Sequence, residues 1–152
     1  TIAYNGKRMQ LKLLKEVYKP SNDDNIGELD YKNNDVLLNI VDIDSKYIKR
    51  IQEGFKLVMG TTGLGYGYIN LSHKPAGKTG TSQSFYDSDV DGKIDKETIT
   101  STFAGYAPYD NPKMSIVVIS PDVSHIYGID YLSQVNRRIS KKVVDKYFEI
   151  YK

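Results

Sequence analysis

Thr98-Ile-Thr-Ser-Thr-Phe-Ala-Gly-Tyr-Ala107, then a break at Pro108-Tyr-Asp-Asn-Pro112, then Met114-Ser-Ile-Val-Val-Ile-Ser120: this stretch decides the fold. Both flanking runs are rich in β-branched and aromatic residues, which suit a pleated, half-buried surface. The break carries two prolines and leaves little room, so the runs are expected to pair as an antiparallel hairpin.

Working outward, Ile129, Leu132, Val135, Ile139, Val143 and Phe148 keep a helical period, with Arg137, Arg138, Lys141 and Lys142 between them. That pattern predicts a long amphipathic helix over 127–151. Upstream, Asp44-Ser45 supplies a cap, and Ile48, Ile51, Phe55 and Val58 recur at spacings of three and four. A helix from Ser45 to Met59, burying that stripe and stopped by Gly60, follows. The glycine-rich stretch Gly60–Gly67 reads as a mobile loop. Leu11–Tyr18 alternates as a strand would, the polar cluster Lys19–Asn25 ends it, and a shorter strand is expected near Ile26–Tyr31. The fold class is therefore α+β, an antiparallel β-sheet flanked by helices.

A chain of 152 residues allows one domain and no second core of comparable size. The balance of 21 basic against 19 acidic residues, net +2, offers no electrostatic case for a nucleic-acid partner. The absence of Cys excludes disulfides, thiolate zinc sites and a cysteine nucleophile. The longest apolar run, Met114 to Ile119, is too short to span a membrane. Residues 1–10 lack the apolar region of a signal peptide, so export information and any membrane anchor are expected upstream.

Pro75-Ala-Gly-Lys-Thr-Gly-Thr-Ser82 is the segment that carries chemistry. Its Gly-Lys-Thr ends like a phosphate-binding loop, but the first glycine of that pattern would be residue 72, which is Ser, and no apolar strand leads in. Read as a strand, Lys78-Thr79-Gly80-Thr81 places two hydroxyls on one side by the period of two, with Gly80 leaving the backbone bare for a ligand lying along it. A cation, two hydroxyls and an open backbone edge suit a carboxylate-bearing peptide. An edge strand with a solvated Lys and two Thr selected for β propensity is the competing reading of the tetrapeptide.

Gly77-Lys-Thr-Gly-Thr81, followed by Thr102-Phe-Ala-Gly-Tyr-Ala-Pro108 and Asn111-Pro-Lys-Met-Ser-Ile-Val-Val118, resembles the C-terminal part of a penicillin-binding protein transpeptidase domain of class B type. There the K-[ST]-G motif lies on a sheet strand at the active site. Ala3-Tyr-Asn-Gly6 resembles the family's alanine-asparagine-glycine segment with one Gly fewer, and Ile51–Met59 resembles the helix before the lysine strand. The resemblance runs from Ala3 to Pro121 and implies a partial β-lactamase/transpeptidase-like fold, with residues 1–152 as the C-terminal part of the domain. The family also uses S-x-x-K and S-x-N upstream. No Ser here has a Lys three residues on, and no S-x-N occurs; Tyr31-Lys-Asn33 and Tyr68-Ile-Asn70 match a Y-x-N variant only by chance. The nucleophile is thus expected on an N-terminal part of the same protein, as a second chain or a missing segment. Without it the chain is expected to expose apolar surface and an unpaired sheet edge, and not to fold or act alone.

By the resemblance, Lys78 and Thr81 are catalytic and Lys78, Thr79, Gly80 and Thr81 bind substrate. Lys78 would hold the carboxylate of a peptidoglycan stem peptide or β-lactam and raise the positive field at the missing serine and lysine. Thr79 and Thr81 would hydrogen-bond that carboxylate, the Thr81 backbone N–H would be an oxyanion-hole donor, and Gly80 would let the peptide lie along the strand. The implied function is D,D-transpeptidation in cell-wall synthesis at the extracytoplasmic face of the bacterial membrane, reached through an upstream anchor, with no organic cofactor. A serine β-lactamase or β-lactam sensor shares the motif.

Independently of any family, Asp87, Asp89, Asp91 and Asp95 hold positions one, three, five and nine of a loop with Gly92 at six, as in an EF-hand-type calcium loop. Position twelve is Thr98 rather than Glu. A solvated acidic hairpin loop is the alternative, and a calcium-stabilised, wall-associated module without catalysis is the corresponding rival function. His73 and His125 form no metal pair by spacing, and His73 is expected to be a surface or packing residue.

Overall fold

The computed structural model describes residues 1–22, 24–123 and 132–151, which fall into two compact units, residues 1–48 and 49–152. In the first unit a 3-10 turn at Ile2–Tyr4 precedes β1 (Lys7–Met9), β2 (Glu16–Tyr18), β3 (Leu29–Lys32) and β4 (Leu37–Ile40). β1 pairs with β4 and β2 with β3, both antiparallel and both carrying a register shift. The expected strand over Leu11–Tyr18 is therefore cut to its last three residues. Alternation alone does not make a strand: β3 reaches only from Glu16 to Tyr18, so the ladder has no partner for residues 11–15. Those residues are tied instead by Asn33, whose amide donates to Leu14 O at 3.1 Å and whose Oδ1 accepts from Lys12 Nζ at 2.6 Å. Leu11 and Leu13 stand fully exposed. β1 and β4, three and four residues long, carry no alternation that the sequence could show.

Helix α1 (Ser45–Met59) has the predicted bounds, and Asp44 Oδ1 accepts from the N–H of Lys46 at its start. Its stripe is only partly covered: Ile48 is buried and Phe55 and Val58 half-buried, but Ile51 is exposed. Burial comes at the C-terminal end, where Met59 is inaccessible. The glycine-rich stretch beyond it, expected as a mobile loop, is a run of hydrogen-bonded turns, with the N–H of Gly65 donating to Val58 O at 2.9 Å. Gly63 is there for space, since a Cβ on it would stand 2.1 Å from Val58 O.

The second unit is built on a three-stranded antiparallel sheet in the order β5 (Ala76–Tyr86), β6 (Lys96–Ala107), β7 (Met114–Ser120). The hairpin expected from the deciding stretch is present, with Ala107 opposite Met114 and Phe103 opposite Val118. Residues 76–86 are strand along their whole length, which removes the phosphate-loop reading. Gly77 faces Gly105 across β5 and β6, and a Cβ on either would lie within 3.1 Å of the Phe103 ring. Paired glycines thus give Phe103 room to lie flat in the core, where it meets Tyr68 at 4.7 Å between ring centroids. Met59, Ile69 and Val144 complete this buried cluster, with Met114, Ile116 and Phe148 packed against it.

Helix α2 (Leu132–Ile150) covers one face of the sheet; residues 127–131 of the predicted helix, Ile129 among them, lie outside the described residues. Its buried face differs from the predicted stripe. Asn136, Ser140 and Val144 are inaccessible, whereas Ile139 and Val143 are 43% and 47% exposed. The reason is a polar anchor: Asn136 Nδ2 donates to Ser101 Oγ on β6 at 3.0 Å, and its Oδ1 accepts from Ser120 Oγ on β7 at 2.5 Å. A buried amide with both ends satisfied fixes the helix's rotation about its axis, and Ile139 and Val143 turn outward while Phe148 still packs against the core.

Candidate functional site

Strand β5 carries Lys78, Thr79, Gly80 and Thr81, opposite Ala104, Phe103, Thr102 and Ser101 of β6 respectively. Because side chains alternate, Thr79 and Thr81 share the sheet face of Phe103 and Ser101, the face that Asn136 of α2 reaches. Lys78 and Gly80 share the other face with Thr102 and Ala104. The four residues are contiguous on one edge strand, but cation and hydroxyls sit on opposite faces; a ligand meets both only along the strand's outer edge. That edge has no strand partner among the described residues. Lys78 is exposed, and its ammonium donates to the carbonyl of Thr79.

Gly80 has a different reason from the one expected. A Cβ there would stand 2.4 Å from Thr102 Oγ1, so the bare backbone houses the neighbouring strand's hydroxyl. The expectation that Gly80 clears space for a ligand rests on the outer edge alone.

The segment entering β5 is held from two sides. His73 Nε2 lies 3.0 Å from Asp145 Oδ1 on α2, and its ring stacks on Phe148 at 4.6 Å between centroids, so His73 is a packing residue as expected. Lys74 Nζ donates to Asp110 Oδ2 at 2.8 Å, while its carbonyl accepts from the N–H of Tyr109 at 2.7 Å. The hydrogen bond and charge of Asp110 raise the Lys74 pKa above its ordinary value. His125 lies outside the described residues. The two Y-x-N matches are structural: Tyr68 is in the core, Asn70 Oδ1 caps the short turn Leu71–His73, and Asn33 ties the 11–15 segment.

In the β5–β6 hairpin loop, carboxylate oxygens of Asp87, Asp89 and Asp91 come within 4.8 Å of one another, and Asp95 is not in that group. Asp95 accepts from the N–H and hydroxyl of Ser88 at 2.9 and 2.6 Å, which holds its pKa below the usual aspartate range. Burial pushes the Asp87 pKa up, but the backbone N–H groups of Gly92, Asp91 and Val90 outweigh it and the net direction is down. The loop's own donors thus offset much of its negative charge.

Sequence reasoning missed the Asn136–Ser101–Ser120 anchor. Its only signal is a spacing of four, Asn136, Ser140, Val144, whose polar members read as a solvated face.

Residues 1–145 match the family described as the penicillin binding protein transpeptidase domain. Penicillin-binding protein 2A of Bacillus subtilis is 40% identical over 151 residues, covering 99% of this chain and 21% of the relative. Penicillin-binding protein 2B of Streptococcus pneumoniae is 27% identical over 97% of this chain and 21% of its own length. The solved structure of penicillin-binding protein 2B from S. pneumoniae strain R6 superposes with a TM-score of 0.69 at 25% identity, over 96% of this chain and 23% of that one. The D,D-transpeptidase domain of an Eggerthella lenta peptidoglycan glycosyltransferase shares the fold, with a TM-score of 0.58 at 22% identity, over 91% of this chain and 28% of that one. The chain spans about a fifth of the length of the curated relatives it matches.

Proposed function

The chain belongs to the penicillin-binding protein transpeptidase family, and we propose that it supplies the lysine strand of a D,D-transpeptidase that cross-links peptidoglycan and is acylated by β-lactams. The observation that carries this reading is Lys78-Thr-Gly-Thr81 on edge strand β5, with the strand's outer edge free of a strand partner among the described residues. A stem peptide laid along that edge adds as a strand, using backbone hydrogen bonds for affinity. Lys78 draws the substrate carboxylate and, by its charge, favours deprotonation of the serine nucleophile. Thr79 and Thr81 donate hydroxyls to the carboxylate, and the Thr81 N–H stabilises the oxyanion of the tetrahedral intermediate.

The serine and its lysine belong to an N-terminal part of the same protein carrying S-x-x-K and S-x-N. The exposed Val117 and Ile119 of β7, and that strand's outer edge, support a body of protein packing there. The site would face the outside of the cytoplasmic membrane through an upstream anchor; no helix among the described residues is long and apolar enough to span a membrane.

Intact-mass analysis after incubation of the complete protein with penicillin tests the reading. A penicilloyl adduct is expected on the serine-bearing part, and its loss in Lys78→Ala with an unchanged circular dichroism spectrum assigns the lysine. Undiminished acylation of Lys78→Ala removes the role. Slow release of the adduct distinguishes a transpeptidase from a β-lactamase, which would turn over. For the acidic loop the proposal narrows to calcium at Asp87, Asp89 and Asp91, bound for structure; a calorimetric titration without heat retires it.

A further inference from the structure

Between the 66–71 segment and α2 lies a cavity of about 620 Å³ that none of Lys78, Thr79, Gly80 and Thr81 lines, unused by the chemistry proposed above. Its α2 wall is Gln134, Arg137, Arg138 and Lys141. These positions follow the i, i+3, i+4, i+7 pattern, the stripe a helix normally makes apolar where it faces another element. Here it is cationic. The opposite wall includes Tyr66, Gly67 and Asn70, and no carboxylate lines the cavity among the described residues.

Lys141 is matched by Asp145 at 2.5 Å, but neither Arg137 nor Arg138 has an ion pair or a side-chain hydrogen bond among the described residues. The surroundings also make room for the first of them. Gly67 takes a φ of 84°, and a Cβ on it would stand 2.5 Å from the Arg137 guanidinium. The turn therefore lets the guanidinium lie against bare backbone, and both residues line the cavity. Two guanidinium-bearing residues line one cavity in which no carboxylate among the described residues offsets them, and their planar forks match the oxygens of phosphate. A space of this size holds a drug-sized group.

We propose that the cavity between the Tyr66–Leu71 segment and α2 is a binding site for a phosphate-bearing ligand, held by the forks of Arg137 and Arg138. Free phosphate compounds and the phosphodiester headgroup of an anionic lipid carry the same chemistry.

The test uses the complete protein. Inorganic phosphate is titrated by calorimetry at constant ionic strength against chloride, and vesicles of phosphatidylglycerol are compared with phosphatidylcholine by co-sedimentation. Saturable phosphate binding is expected, at least tenfold weaker in Arg137→Gln/Arg138→Gln and within twofold of the parent in Lys142→Gln, a cation on the same helix that does not line the cavity. Arg138→Lys, which keeps charge and loses the fork, should bind three- to tenfold more weakly. Sedimentation with phosphatidylglycerol that free phosphate reverses assigns the lipid headgroup; phosphate binding without vesicle binding assigns a soluble ligand. Absence of saturable phosphate binding, or equal binding by the double variant, overturns the proposal. Penicillin acylation of the same preparations reports folding and the transpeptidase reading separately, and is expected to survive in every variant here.

Discussion

The hydroxyl of Thr102 occupies the space in front of Gly80: a Cβ on Gly80 would stand 2.4 Å from Thr102 Oγ1. The two residues are direct partners across β5 and β6, on the sheet face of Lys78. Glycine in the lysine strand is thus set by a cross-strand neighbour, and the neighbour is the handle for testing it.

Gly80→Ala should destabilise the protein by about 1–3 kcal/mol, the usual scale of overpacking. Thr102→Ala removes the obstructing hydroxyl, so the double variant should regain most of the loss. Urea denaturation of the four proteins of the cycle gives the coupling; simple additivity would mean that the contact does not constrain residue 80.

Asn136→Ala leaves the buried hydroxyl of Ser101 and the half-buried hydroxyl of Ser120 without their shared partner. A loss of about 2–4 kcal/mol is expected, combining unsatisfied polar groups with a small cavity. Denaturant midpoints measure it. A loss below about 0.5 kcal/mol, the level of a surface substitution, would show that the amide does not anchor α2.

Ser140 presents the opposite case, because its hydroxyl is buried with no hydrogen-bond partner among the described residues. Ser140→Ala should be neutral or stabilising by up to about 1 kcal/mol, since it removes a desolvated polar group and little volume. A clear drop in thermal midpoint would reveal a partner for the hydroxyl.

Asp145 links His73 to Lys141 across the entrance to β5. Burial pushes its pKa up, but the hydrogen bonds from Lys141 and His73 outweigh this and hold it below the ordinary 3.8. A carboxylate with a lowered folded-state pKa contributes stability above its unfolded value and loses it as pH falls through the lowered one. Asp145→Asn should therefore be less stable than the parent at neutral pH, with the difference closing in acid below the ordinary aspartate range. Denaturant midpoints across pH measure the gap; a gap independent of pH would assign the loss to packing rather than charge.

The β6–β7 hairpin and α1 were legible in the sequence because their signals are local. Two β-branched runs around a proline-bounded turn have one short-range solution, and a cap, a stripe and a terminal Gly60 bound a helix without reference to anything distant. Leu11–Tyr18 shows the limit of such signals, since its alternation lacked a partner strand long enough to use it. The lysine strand was legible as a motif, while the reason for Gly80 was not, because that reason lies on β6.

Residue order alone determined the α+β class, the hairpin, the placement of Lys78-Thr-Gly-Thr81 on a strand and the family resemblance, all of which rest on periodicity or contiguous motifs. Tertiary structure decided which face of α2 is buried, which strands find partners, and that the strand carrying Lys78 and the two threonines lies at a sheet edge. Those outcomes depend on pairs far apart in the chain, Asn136 with Ser101 and Gly80 with Thr102. A single buried amide or a single close approach outweighs a helical stripe of apolar residues when leaving it unmet costs more than exposing them.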